Sequence, residues 1–424
     1  MFKRIKTFFK AFGPGVITGA ADDDPSGIAT YSQTGAEFGY GQLWVAVWIL
    51  PFMISVQEAC ARIGAATGKG IASVIKDHYS KKVLYAAVFL VVVANTINIG
   101  ADIGALGAAA ELILPVSFPI LVLGFTALIL FLEIFVSYRS YAKILKWLAL
   151  SLLAYPLTVF LVNQPWGELL RATFVPNVEF SFAFLFIITG VLGTTISPYM
   201  FFWQASEEVE EERSRKLMAH GEAHPTKRFM RLLRMDNFLG MIFSNFATWS
   251  IIVVAATVLH SGGITNISTA ADAAKALEPL VQTFPNAGFL AKLIFASGIL
   301  GLGLLGIPVL SASASYALSE ALGWKEGLNL KLRRAYGFYG VITAATLIGL
   351  AINFVGIDPI RALIIAAVLN GVVAAPLIFL IALIAADKKI MGEWASGWLS
   401  QTFVWATFAL MAAAAIAMFS SFLR

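Results

Sequence analysis

The hydrophobic pattern consists of long apolar runs separated by short polar connections. Eleven runs approach or exceed the roughly 20 residues that cross a bilayer as a helix. They centre near residues 25, 55, 98, 127, 151, 195, 247, 304, 345, 372 and 411. The first run, from about Phe12 to about Phe38, is interrupted by Gly19-Ala20-Ala21-Asp22-Asp23-Asp24-Pro25-Ser26-Gly27. A carboxylate in hydrocarbon costs on the order of 3 kcal/mol. Pro25 removes a backbone donor and Gly27 loosens the chain. Such a break is tolerated only where protein or a wet cavity covers the backbone. The sixth run carries the matching break, Gly190-Val191-Leu192-Gly193-Thr194-Thr195-Ile196-Ser197-Pro198-Tyr199.

The polar connections alternate in charge. The leader (Lys3, Arg4, Lys6, Lys10), the 67–82 and 207–234 loops, the 139–146 turn (Arg139, Lys143, Lys146), the 325–334 loop and Lys388-Lys389 are basic, and those between them are poor in Lys and Arg. The positive-inside rule then places the N-terminus in the cytoplasm and, for an odd number of spans, the C-terminus outside. Spans 1–5 and 6–10 have opposite orientation. The predicted fold is an all-α membrane protein of 11 transmembrane helices. Residues 1–165 and 180–388 form a 5+5 inverted repeat with helices 1 and 6 broken, and 398–424 adds one helix. Broken helices at matching positions of two halves point to the binding site of a transporter. The first half of each ends near the midplane with its carbonyls and negative dipole end there. With a carboxylate between them, they make a cation site.

Composition agrees with a membrane-embedded chain. Of 424 residues, 59% are hydrophobic and 13% charged, with mean hydropathy +0.80, too little charge for a water-facing surface. The net charge of +5 resides at span ends, so no nucleic-acid partner is implied. One cysteine, Cys60, excludes an intrachain disulfide. No nucleophile motif, nucleotide loop or clustered histidine suggests an enzyme or a cofactor. The sequence gives no reason to expect an obligate protein partner. The multi-pass chain is expected in the cell's inner or plasma membrane.

Asp24-Pro25-Ser26-Gly27-Ile28-Ala29-Thr30 and Gly35-Ala36-Glu37-Phe38-Gly39-Tyr40 resemble the first-span signature of the natural resistance-associated macrophage protein (NRAMP) family of divalent metal transporters. Gln57-Glu58, Ala61-Arg62-Ile63-Gly64 and Thr67-Gly68-Lys69-Gly70 continue the resemblance, and residues 311–320 match span 8. It covers spans 1–10 and implies a LeuT-like fold. Where that family has an asparagine this chain has Gly27, and its Met-Pro-His is Ser197-Pro198-Tyr199. A second histidine aligns with Gln204, the span-3 Asp and Glu with Asn98 and Ala101, and a span-10 glutamine with Asn370. Losing methionine removes the one soft ligand. Small oxygen-bearing residues leave room for an ion such as Mg²⁺ that keeps its waters. The pattern resembles the NRAMP-related magnesium transporter branch, with Mg²⁺, and also Mn²⁺, as transported substrate. The four histidines (His78, His220, His224, His260) lie in connections or at span ends, away from any midplane proton relay. This implies transport uncoupled from protons. The alternative is the proton-coupled Mn²⁺/Fe²⁺ transport of the main family.

The expected metal residues are Asp24, Gly27, Thr194 and Ser197, with Asp23, Ser26, Tyr199, Asn98 and Asn370 lining the site. Asp24 otherwise caps freed donors in the break. Asp22 and Asp23 either line the inner approach or cap it. Thr194 offers its carbonyl, Gly27 offers space, and Ser197 either ligates or bonds back to its helix. Asp102 is expected to pair with Asn98 or Asn95, and Glu133 with the 139–146 turn. Asn245 either holds water or ties helices together. The run Glu207 to Glu212 reads as a solvated helix extension or as an acidic inner vestibule.

Overall fold

The computed structural model describes residue 19 and residues 22–136, 150–214, 218–219 and 222–422. The basic leader, the 139–146 turn, Arg215, Lys216 and His220 lie outside the described residues. The main helices are α1 (Pro25–Phe38), α2 (Leu50–Thr67), α3 (Lys81–Glu111), α4 (Phe118–Phe135), α5 (Ala154–Leu161), α6 (Phe182–Thr195), α7 (Pro198–Ser214), α8 (Lys227–Val254), α9 (Ala287–Leu322), α10 (Tyr336–Ile352), α11 (Pro359–Ala386) and α12 (Trp398–Phe422). The polar segment after α7 adds a two-stranded antiparallel ribbon, β1 (Met218–Ala219) with β2 (Glu222–Ala223).

Hydroxyls and glycines punctuate these helices. Ser80, Ser181 and Thr226 cap α3, α6 and α8, each accepting from a backbone N–H of the first turn. Gly68 and Gly323 end α2 and α9 in the left-handed conformation. Among the described residues, seven helical segments are long and apolar enough to cross a membrane, with α6 and α7 counted as one. The eleven-span reading adds α1, α2, α10 and the segment about residue 151. Length and composition alone do not carry these four. The described part of span 1 begins at its break, α2 bears Glu58 and Arg62, and α10 has 17 residues.

Packing puts the broken span at the centre. The apolar part of Phe182–Ser214 is 94% buried, against 28% for α4 and α12, which form the periphery. α9 packs most extensively on α3, and α6 on α11, while α12 lies across α2, α6 and α11. Large exposed apolar side chains such as Phe89, Ile120, Phe131 and Phe160 turn outward, as lipid contact requires. The charges of α2 are answered internally. Glu58 pairs with Arg62 at 3.0 Å and Arg234 at 2.9 Å, and Arg62 also donates to the Trp394 carbonyl and to Ser396 and Ser400.

Candidate metal centre

The site is built by the two breaks. α1 cannot start before Pro25, so Asp24 becomes its N-cap, and Oδ1 accepts the Gly27 N–H at 3.0 Å and the Ser26 hydroxyl at 2.5 Å. Oδ2 accepts the Asn98 amide from α3 at 3.0 Å and the Tyr199 hydroxyl from α7 at 3.3 Å. Asn370 of α11 donates to Asn98 Oδ1 at 3.3 Å. Asp24 is 1% exposed, and an added methyl carbon at Gly306 of α9 would stand 3.4 Å from its Cβ. Four helices therefore meet at Asp24, and a fifth, α11, reaches it through Asn98.

The opposite wall is the end of α6. Its last helical carbonyls have no partner in the next turn, because Pro198 restarts the chain as α7. The Ser197 hydroxyl donates to the Gly193 and Thr194 carbonyls at 2.9 and 2.7 Å. Of the two roles open to Ser197, the structure displays the back-bonding one. The Thr194 hydroxyl lies 3.3 Å from that of Ser26. Ser26 spends its proton on Asp24, so Thr194 is the donor. A methyl carbon at Gly27 would come within 3.1 Å of the Tyr31 ring and 3.3 Å of Thr194 Oγ1, so any larger side chain would intrude between the two breaks.

Asp24, Ser26, Gly27, Asn98, Thr194, Ser197, Tyr199 and Asn370 are thus brought together, as the sequence suggests. Asp23 stands apart, buried beside Ser244 of α8 together with Asp22. Three other expectations are corrected or resolved, and a fourth, for Glu133, falls on neighbours outside the described residues. Asp102 pairs with neither asparagine: Asn98 is held by Asp24 and Asn95 donates to the Leu310 carbonyl, leaving both Asp102 oxygens without a hydrogen-bond partner. Glu133 takes the Ser311 hydroxyl across the α4–α9 contact, and the 139–146 turn expected as its partner lies outside the described residues. Asn245 ties α8 to the Ala46 carbonyl. The Glu207–Glu212 run is not a solvated face. Glu208, Glu210 and Glu212 are buried. The connection after α9 folds over Glu210, which accepts from Tyr316 of α9, the Leu328 N–H and Asn329, while Glu208 takes the Gln204 amide on its own helix.

Beneath this cover lies a cavity of about 310 Å³, lined among others by Lys69, Lys76, Glu210, Arg213, Glu320 and Glu326, at the end where the basic connections gather. Glu320 is held by Ser206 and the Ser73 N–H. Sequence reasoning missed this cluster. Its signal was the pair Tyr316 and Glu320, one turn apart on α9, which both line the cavity. Among the described residues no three His, Cys, Asp or Glu side chains converge as a ready-made metal cage. The donors at the break are instead one carboxylate with amides, hydroxyls and carbonyls, suited to a cation that brings its own waters.

Two broken helices meeting at a buried carboxylate inside an apolar bundle define a multi-pass membrane transporter. The protein-family model for natural resistance-associated macrophage protein-like chains matches residues 15–421. The chain belongs to this family of divalent metal transporters, and it is not an enzyme. A relative described as the divalent metal cation transporter MntH, from Caldanaerobacter subterraneus subsp. tengcongensis, is 26% identical over 397 residues, covering 92% of this chain and 88% of the relative. The solved manganese transporter of Eremococcus coleocola superposes with a TM-score of 0.74 at 16% identity, over 98% of this chain and 87% of that one. Mhp1, a nucleobase-cation-symport-1 family transporter, superposes with a TM-score of 0.55 at 13% identity, over 96% and 92% of the two chains. These likenesses show the fold, which is LeuT-like.

Proposed function

We propose that this chain carries Mg²⁺, and also Mn²⁺, across the membrane by alternating access and without protons. The observation that carries the reading is the all-oxygen neighbourhood at the breaks. The Asp24 carboxylate, the Thr194 carbonyl and the Ser197 hydroxyl are the proposed ligands, and Gly27 is the space a hydrated ion needs. Ser26, Asn98, Tyr199 and Asn370 are proposed to line the site rather than to ligate. Hard oxygen donors suit Mg²⁺ and Mn²⁺, and no thioether stands at the break to favour softer ions. Mn²⁺ is also the ion named for the solved relative of this fold.

The halves 1–165 and 180–388 are proposed as the repeats that rock against each other, with the N-terminus cytoplasmic and the C-terminus outside. The basic connections support that orientation. Uncoupled transport is supported by the histidines: of the described ones, His78 and His260 end helical segments and His224 lies in a connection. The test is uptake into proteoliposomes containing a pH-sensitive dye. The proposal expects Mg²⁺ and Mn²⁺ to enter with no change in internal pH. Metal-dependent acidification would instead assign proton-coupled Mn²⁺/Fe²⁺ transport, and Fe²⁺ uptake without Mg²⁺ uptake would overturn the substrate.

A further inference from the structure

Asp22 and Asp23 take no part in the hydrogen-bond ring around Asp24. Each is 2% exposed. They sit against α8. An added methyl carbon at Gly19 would fall 2.4 Å from the Gly240 carbonyl oxygen, so the two backbones touch there. One turn further along, the Ser244 hydroxyl donates to Asp22 Oδ2 at 2.9 Å and also faces Asp23. Asp23 Oδ1 is buried without a hydrogen-bond partner. On the next turn of α8, Thr248 is 0% exposed, and its hydroxyl faces Tyr31 without closing a hydrogen bond. Tyr31 stands within electrostatic reach of both carboxylates, its own hydroxyl 3.1 Å from that of Thr195.

The charge around this group is of one sign. None of the ion pairs among the described residues includes Asp22 or Asp23, and the charged side chain acting on both is Asp24. Two neighbouring carboxylates in a low-dielectric interior cost several kcal/mol each unless a positive charge joins them. The neutral oxygens of Ser244, Thr248 and Tyr31 complete a hard donor set of the kind that takes a divalent cation with part of its water shell.

We propose that Asp22 and Asp23, backed by Ser244 and Thr248 of α8, form a second divalent-cation position beside the one at Asp24. The proposal rests on the reading of Asp24 as the transport site. The new position lies immediately before Asp24 in the chain, against α8. It explains why this break carries three consecutive carboxylates when one is enough to ligate.

The test is a Mn²⁺ titration of the purified full-length chain, with the free ion followed by its electron paramagnetic resonance signal. Wild type is expected to bind two Mn²⁺ per chain. Asp24→Asn should keep one, and the Asp22→Asn, Asp23→Asn double variant should also keep one. Ser244→Ala, which leaves every carboxylate in place, should weaken the second phase by roughly tenfold and spare the first. One Mn²⁺ per wild-type chain, retained by the double variant and lost in Asp24→Asn, overturns the second position and leaves the Asp24 reading standing. Two Mn²⁺ per chain in Asp24→Asn, falling to one in the double variant, supports the position and overturns Asp24 as the transport site.

Discussion

At the scale of single residues, the chemistry turns on how Asp24 is satisfied. Its two oxygens accept from Ser26, Gly27, Asn98 and Tyr199, so every neighbour is a neutral donor. Asp24→Asn turns an acceptor into a part-donor facing those donors and removes the charge that balances an ion. Leaving a buried charge without its partner costs about 3–5 kcal/mol, so Mn²⁺ affinity should fall by roughly 100-fold or more in a calorimetric titration. Unaltered affinity would remove the assignment. Ser197 tests selectivity instead. Its hydroxyl can be spared from the Gly193 and Thr194 carbonyls, and Ser197→Met would place a thioether at the break. In uptake competition this variant should lose discrimination in favour of Mg²⁺ and become more sensitive to Cd²⁺, the softer ion. The members of this site were legible in the sequence because polar side chains in a membrane have few places to go but one another. The pairing was less so. Asn98 had a choice between Asp102 on its own helix and Asp24 on another, and only tertiary packing decides between them.

At the scale of elements, close backbone contacts hold the broken helices in register. A methyl carbon at Gly193 would meet the Ala367 carbonyl at 2.1 Å and the Gly371 nitrogen at 2.2 Å, so α6 rests directly on α11. Gly193→Ala should push the helices apart and destabilise the chain by about 1–3 kcal/mol, read as a lower melting temperature in detergent. A melting temperature equal to wild type would show that α11 gives way freely. The breaks themselves were legible, since Pro25 and Pro198 each forbid the preceding turn from continuing. The fate of the Glu207–Glu212 run was not. A charge run says nothing about what covers it, and here residues 323–335 return over α7. That cover has a measurable signature. Burial, then the nearness of Glu320 and Glu210, pushes the Glu326 carboxyl up to about 9. The unfolded value is about 4.3, so between these limits the folded chain holds a proton that the unfolded chain releases. The contribution is fully present below about 4.3 and is lost as pH rises toward 9. Melting temperature should therefore fall across that window, and Glu326→Gln should flatten the fall; an unchanged slope would assign it to other groups.

At the scale of the whole molecule, the proposed uncoupled transport makes the driving force electrical. A dication moving down 100 mV, inside negative, gains about 4.6 kcal/mol, roughly a two-thousandfold accumulation at equilibrium. Imposing such a potential on proteoliposomes should accelerate Mg²⁺ uptake steeply, and collapsing it should remove the acceleration. Indifference to voltage would argue against net movement of an uncompensated charge. The class of molecule was legible from the spacing of apolar runs, whereas the span count was less secure. Where a helix must also hold a site residue or carry charge, as α1 and α2 do, it gives up the length or apolarity by which a span is recognised.

A carrier that moves its ion alone must make half of each turnover unladen. A bare carboxylate at the midplane would stall that half-cycle. The ring of Ser26, Gly27, Asn98 and Tyr199 gives the Asp24 carboxylate internal company whenever the ion departs. Each is a neutral donor whose proton can turn aside for an arriving cation and turn back after it leaves. On the proposed uncoupled reading, the return stroke then costs little more than the loaded one, and one-way flux should run nearly as fast as ion-for-ion exchange.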